Sequence, residues 1–230
     1  MSIVYIVSAP SGSGKSTLVA KLLTMVRNLD FSVSYTTRPP RGVEQNRKEY
    51  FFVSKEEFNA MIAADEFLEY ADVFGNCYGT ARRFLREAQA HGNDLLLDID
   101  VQGAEQIQRK IPDAVSIFIL PPDWHTLESR LRNRGSDAEE VIRRRLDTAR
   151  REIENYSKYD YILINNLLDQ SAGQLKDIVL AERLKTKDRS ELSSELSEDE
   201  KRLLETAKAC QLEQAQERIQ PILASFKSSG

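Results

Sequence analysis

Val4-Tyr-Ile-Val-Ser8, then Ala9-Pro-Ser-Gly-Ser-Gly-Lys-Ser16, then Thr17-Leu-Val-Ala-Lys-Leu-Leu23 is the stretch that decides the fold. The first run is apolar and β-branched, and it reads as a strand buried on both faces. The last run has helical spacing. Between them, Gly12 and Gly14 permit the tight geometry in which successive backbone amides point at one polyphosphate. The start of the helix adds its dipole. Lys15 is placed to reach β- and γ-phosphates, and the Ser16 hydroxyl to ligate Mg2+. Ala9, Pro10, Ser11, Gly12, Ser13, Gly14, Lys15 and Ser16 therefore form the predicted triphosphate-binding loop (P-loop). Ala9 replaces the first glycine of the general pattern, a mild departure.

Outward from this loop, apolar runs alternate with helical patterns. Strands are predicted at Val4–Ser8, Ser32–Thr36, Leu95–Ile99, Val115–Leu120 and Tyr161–Ile164. Helices are predicted at Lys15–Val26, Lys55–Ala64, Thr80–His91, Trp124–Arg134 and Glu139–Asn155. Pro121-Pro122 breaks the strand before the fourth helix, whose start falls near Asp123 or His125. Strand–helix alternation implies an α/β fold with a parallel sheet and ligands at the strand C-termini.

Composition narrows the classes. The chain has 230 residues, a net charge of -4 and two cysteines, Cys77 and Cys210. Two distant cysteines exclude a disulfide scaffold and favour a reducing compartment, the cytoplasm. Mean hydropathy is -0.46, and no apolar run approaches the roughly 18–20 residues of a membrane span. The acidic balance argues against general nucleic-acid binding. A homo-oligomer is compatible with the sequence, which specifies no assembly. All but one of the aromatic residues lie at or before Tyr161, the exception being Phe226. The part after residue 183 is charged and lacks strand-like runs, so a boundary is expected there.

Leu95-Leu-Leu-Asp-Ile-Asp100 is an apolar strand ending in carboxylates. Asp98 suits the second acidic element of P-loop proteins, which helps hold Mg2+ directly or through water. Asp100-Val-Gln-Gly103 also matches the Asp-x-x-Gly of switch GTPases, but the guanine-reading Asn-Lys-x-Asp is absent. A second phosphate site is legible in Ser34-Tyr-Thr-Thr-Arg38-Pro-Pro-Arg41. Two arginines in a proline-stiffened loop can fork a terminal phosphate. Tyr50 and Tyr78 can donate phenolic hydroxyls to the same anion. The P-loop already serves one phosphate group, so a separate site implies a second phosphorylated substrate such as a nucleoside monophosphate.

Residues 4–183 resemble the guanylate kinase family, within the nucleoside monophosphate kinases. The matching segments are Ile6–Ser16, Ser32–Arg41, Tyr50–Ser54, Phe67–Tyr70, Val73–Thr80, Leu97–Gly103 and Arg130–Gly135, in family order. The resemblance implies a P-loop nucleotide kinase core with a small GMP-binding part (about 34–90) and a lid (about 130–150). It implies ATP on the loop, with Mg2+, and GMP as acceptor. By similarity, Glu69 and Asp100 accept from the guanine edge with Ser34 and Thr80 assisting, and Arg38, Arg41, Tyr50 and Tyr78 hold the GMP phosphate. Arg134 and Arg145 match the lid arginines that meet the transferring phosphoryl group, making them, with Lys15, the implied catalytic residues. Asn165-Asn166 matches a pair beside the adenine, with Asn166 in place of the usual Asp. Further departures are Val43 and Arg47 at glycine positions and Cys77 at a common tyrosine position.

The alternative is a non-catalytic guanylate-kinase-like module that binds proteins. Such modules have degraded P-loops, whereas Lys15, Ser16, Asp98, Arg134 and Arg145 are all present here. Residues 184–230 are expected to form a charged helical extension. Ser197-Glu-Asp-Glu200 has capping-box spacing, Leu203 to Ile219 repeat at near-helical intervals, and Pro221 marks a stop. This reading makes the tail one solvated helix, packed loosely or on a neighbour, that catalysis does not require; the alternative is a subunit or protein contact.

Overall fold

The computed structural model describes residues 2–73, 75–133, 139–186 and 196–228. The chain divides into two compact units, Met1–Ile6 with Asn28–Val115, and Val7–Arg27 with Ser116–Gly230. Strand β1 (Val4–Ser8) contributes to both and is buried throughout.

In the first unit, β2 (Leu29–Ser32) lies parallel to β7 (Asp94–Asp98), with Leu29 opposite Asp94 and Ser32 opposite Leu97. Leu95, Leu96 and Leu97 have no exposed surface, as expected of a strand covered on both faces. A second sheet has the order β4-β3-β6-β5, formed by β3 (Tyr35–Thr36), β4 (Phe51–Phe52), β5 (Phe67–Val73) and β6 (Asn76–Ala81). β5 and β6 are antiparallel, and a register shift falls between Phe67 and Glu69. Helix α2 (Lys55–Ala63) starts at a capping box in which Ser54 and Glu57 satisfy each other's backbone amides. Helices α3 (Arg82–His91) and α4 (Val101–Lys110) complete the unit. Gln106 of α4 bonds both backbone groups of Tyr70, which ties α4 to β5.

Two departures from the sequence reading bear on the site. The predicted strand Ser32–Thr36 is two strands in two sheets: β2 ends at Ser32, and β3 begins at Tyr35, opposite Phe51 and Gly79. The break depends on distant partners, which a local apolar pattern does not carry. The helix expected from Thr80 begins at Arg82, because Thr80 pairs with Glu69 and Ala81 with Phe67 across the hairpin.

In the second unit, α1 (Lys15–Met25) follows the P-loop and packs on α7 (Leu168–Thr186). Strands β8 (Val115–Leu120) and β9 (Tyr161–Ile164) run parallel, with Ile117 opposite Tyr161. The order of the five-stranded sheet is β2-β7-β1-β8-β9. Ile117, Phe118, Ile119 and Leu120 are fully buried, and each such side chain contributes about 1.5–3 kcal/mol. Helix α5 (Trp124–Arg132) is capped by Asp123, which accepts from the Thr126 amide at 2.6 Å. Helix α6 (Glu139–Ile153) buries Ile142, Leu146, Ala149 and Ile153 on one stripe.

The composition break at residue 183 falls inside α7. Beyond it lie two helices rather than one, α8 (Glu198–Cys210) and α9 (Leu212–Ser228). The capping box at Ser197 and Glu200 is present. Pro221 does not stop the chain and sits inside α9. Burial of Ile219, Ile222 and Phe226 on either side outweighs the lost backbone bond. The break comes instead at Gln211, whose backbone is extended. Gln211 forms an antiparallel bridge with Tyr161, and the Leu212 amide donates to Asp160 O at 2.9 Å. The extension thus covers part of strand β9 and is packed along its apolar face.

Candidate active site

The residues predicted for the acceptor side lie in the first unit. Glu69 stands directly opposite Thr80, and Ala71 opposite Tyr78. Alternation along the strands therefore places Glu69, Tyr78 and Thr80 on one face of the hairpin. Glu69 is 3% exposed and Thr80 fully buried. Asp100 caps α4, accepting from the Gly103 amide at 2.8 Å. Burial pushes the Glu69 carboxyl up to about 7, and the charge of Asp100 adds to the rise. The Thr80 hydroxyl has no hydrogen bond of ordinary length, yet it and the Thr80 amide lie close enough to pull the carboxyl partway back. Two carboxylates and a buried hydroxyl thus converge.

Arg38 is 6% exposed. Its guanidinium donates to Tyr78 Oη at 3.2 Å, to Pro39 O at 2.8 Å and to Glu44 Oε1 at 2.9 Å. It also lies 5.3 Å from the centre of the Tyr50 ring, and Tyr50 meets Tyr78 edge-on at 5.8 Å. Burial works against its charge, but the Glu44 and Tyr78 hydrogen bonds outweigh burial and its pKa is raised. The structure therefore gathers Arg38, Tyr50 and Tyr78. Arg41 is exposed on the same loop, where its amide donates to Glu44 Oε2 at 2.7 Å. Ser34 is half-buried, and its carbonyl accepts from the Phe51 amide. Glu44 was not singled out from the sequence, yet it joins the two arginine positions. Its signal was its place three residues after Arg41.

The phosphate loop lies in the second unit. Gly12 and Gly14 have φ of 94° and 87°, in the left-handed region that favours glycine. A Cβ on Gly14 would also stand 2.4 Å from Asn165 Nδ2. The Ser13 amide closes a turn onto Pro10 O at 3.1 Å. Ser13 O in turn accepts from Asn165 Nδ2 at 2.7 Å and from Arg130 at 3.3 Å, and Arg130 also bonds Asn165 O. Burial lowers the Arg130 pKa, and Asp123 partly offsets this. Asn165, which the resemblance sets beside adenine, spends its side-chain amide on bracing the loop. Lys15 opens α1 and Ser16 follows it, exposed.

Helix α6 reaches the loop through two side chains. Arg145 donates to Ser11 Oγ at 3.1 and 3.3 Å, and Glu152 accepts from the Ser11 amide at 3.1 Å. Arg134 lies outside the described residues. Asp98 ends β7 in the first unit and is half-buried.

A P-loop closing β1 onto α1, within an α/β fold with parallel strand pairs, defines a P-loop nucleotide-binding protein. The guanylate kinase family model matches residues 1–182. The chain belongs to the guanylate kinase family. It is 57% identical over 229 residues to a guanylate kinase of Koribacter versatilis, covering 98% of this chain and 96% of that one. It is 50% identical over 184 residues to a guanylate kinase of Geobacter sulfurreducens, covering 80% and 91%. The crystal structure of guanylate kinase from Anaplasma phagocytophilum superposes with a TM-score of 0.68 at 36% identity, covering 80% of this chain and 88% of that one.

Proposed function

We propose that this chain transfers the γ-phosphoryl group of ATP to GMP, giving ADP and GDP. The observation that carries the acceptor assignment is the buried Glu69 carboxyl, facing Thr80 and flanked by Asp100. Guanine offers N1–H and N2–H2 donors to such acceptors, whereas adenine presents a bare N1. A buried carboxylate facing that nitrogen would be left unpaired, at a cost of about 1–3 kcal/mol or more. Ser34, Thr80 and Asp100 complete the base contacts in this reading, and Arg38, Arg41, Tyr50 and Tyr78 take the phosphate.

The attacking GMP oxygen is already anionic, so no general base is required. Catalysis is positioning and electrostatics. The loop amides and Lys15 hold the ATP phosphates, and Arg145, with Arg134, stabilises charge on the transferring group. Among the described residues no cluster of three His, Cys, Asp or Glu side chains could cage a metal. This suits Mg2+, which binds through phosphate and water with few protein ligands. Ser16 and Asp98 are the residues that would hold it. Mg2+ supplies neutralisation of the β- and γ-phosphate charge.

Residues 34–90 form the acceptor part in this reading, and 130–150 the lid. The unpaired thiols of Cys77 and Cys210 suit the cytoplasm. No described helix is long and apolar enough to cross a membrane.

A coupled assay with GMP, AMP, UMP and dTMP tests the assignment. GMP should exceed the others by at least about a hundredfold in kcat/KM. Comparable turnover of AMP would overturn the acceptor, and ATP binding without transfer to any acceptor would favour the non-catalytic module.

A further inference from the structure

We propose that the C-terminal helix α9 is a positioning element of the ATP side, acting on α6 through Phe226, Trp124 and Arg150. This rests on the reading that the P-loop holds ATP. Arg145 and Glu152 are seven residues apart, two helical turns, so they share the flank of α6 that meets Ser11. Arg150 lies on a different flank, about 140° around the helix from Arg145. There its guanidinium sits 4.3 Å from the centre of the Trp124 ring. Phe226 meets the same ring edge-on, at 5.3 Å and 87°. Trp124 and Phe226 are 8% and 4% exposed.

A second contact leads to the same place. Trp124 opens α5, so its amide is one of the donors that a helix start leaves unpaired. Asp123 spends its carboxylate on Thr126, through the amide and the hydroxyl. The Trp124 amide donates instead to Ser225 Oγ on α9 at 3.0 Å. The extension thus supplies a cap to α5 and an aromatic edge to the ring on which α6 rests. One flank of α6 is fixed by the phosphate loop and the other by a surface that α9 completes. Loosening α9 frees α6 to tilt, and Arg145 and Glu152 then lose their register on Ser11.

The test uses the full chain with Phe226→Ala, and with Arg150→Met as a variant that leaves the α9 packing intact. Trp124 is the only tryptophan, so its emission reports the contact directly. In both variants the Kd for a non-hydrolysable ATP analogue, by calorimetry, rises roughly three- to tenfold. The Kd for GMP stays within about twofold. Phe226→Tyr, which keeps the ring edge, restores both the affinity and the Trp124 emission. Unchanged analogue affinity in folded Phe226→Ala protein would overturn the proposal. So would equal weakening of both ligands, which marks a merely structural role. Binding is read without turnover, so a chain that held the analogue but did not phosphorylate GMP would sink the activity reading and leave this test standing.

Discussion

The Glu69 carboxylate lies against the backbone of Gly103 so closely that a Cβ there would stand 2.5 Å from Oε2. Glycine within a helix ordinarily costs about 1 kcal/mol relative to alanine. In α4 that cost secures the approach of the acid. Gly103→Ala gains the helix preference but must displace Glu69, an overpacking cost of about 1–3 kcal/mol. The two nearly cancel in stability and do not cancel in function. KM for GMP should rise at least about tenfold with KM for ATP unchanged. Gly173 of α7 is the control: its Cβ would meet nothing within 4 Å, so Gly173→Ala should stabilise by up to about 1 kcal/mol with kinetics unaltered. Wild-type GMP kinetics in Gly103→Ala would contradict the proposed place of Glu69.

The raised carboxyl of Glu69 predicts a pH dependence with a definite sign. Its folded value of about 7 exceeds the ordinary 4.5, chiefly through burial. Between those values the folded chain holds more protons than the unfolded one. Stability therefore falls as pH rises through this window. Relative to Glu69→Gln, the wild type should lose roughly 3 kcal/mol across it. Guanine donors favour the ionised form, so GMP affinity should climb from about pH 6 and level off above about pH 8. Calorimetry near pH 6.5 in buffers of different ionisation heat should show proton release on GMP binding. Glu69→Gln should abolish that release, and a flat wild-type profile would refute the assignment.

What the sequence disclosed follows from how local each signal is. The loop, β1, β8 and β9 are legible because glycine spacing and continuous apolar runs need no distant partner. The division of Ser32–Thr36 between two sheets is not legible, since it depends on Leu97 for one half and on Phe51 and Gly79 for the other. The same holds for the loop's braces. Arg130 and Asn165 act on Ser13 O from 117 and 152 residues away, and Glu152 on the Ser11 amide from 141. Their partners are backbone atoms, which leave no mark on residue type. Pro221 is the converse case, a strong local signal that burial of its neighbours overrides.

Lys15 and Arg145 should separate cleanly from stability. Lys15 is half-buried at the start of α1, so Lys15→Ala should leave the fold intact while lowering kcat at least about a hundredfold. Arg145→Ala should cost roughly a hundred- to a thousandfold in kcat/KM for ATP. Arg145→Lys should not rescue it, because an ammonium cannot reproduce the planar fork. Full phosphotransfer by a folded Lys15→Ala protein would remove Lys15 from the mechanism.

Thiol chemistry gives an independent measure of the extension's packing. Cys210 closes α8 and is 1% exposed, and burial pushes its thiol pKa up against the opposing pull of Arg218. Cys77 is half-exposed on β6. The thiolate is the reactive species, so burial and a raised pKa both slow Cys210. An aromatic disulfide reagent should label one thiol of the native protein promptly and the second at least about a hundredfold more slowly, through local opening. Serine at position 77 should remove the prompt phase alone. Denaturant should make both thiols equally quick. A chain ending at Gln211 lacks α9 and should expose Cys210 without unfolding the sheet. Two thiols of equal rate in the native protein would mean that α8 and α9 are not docked in solution.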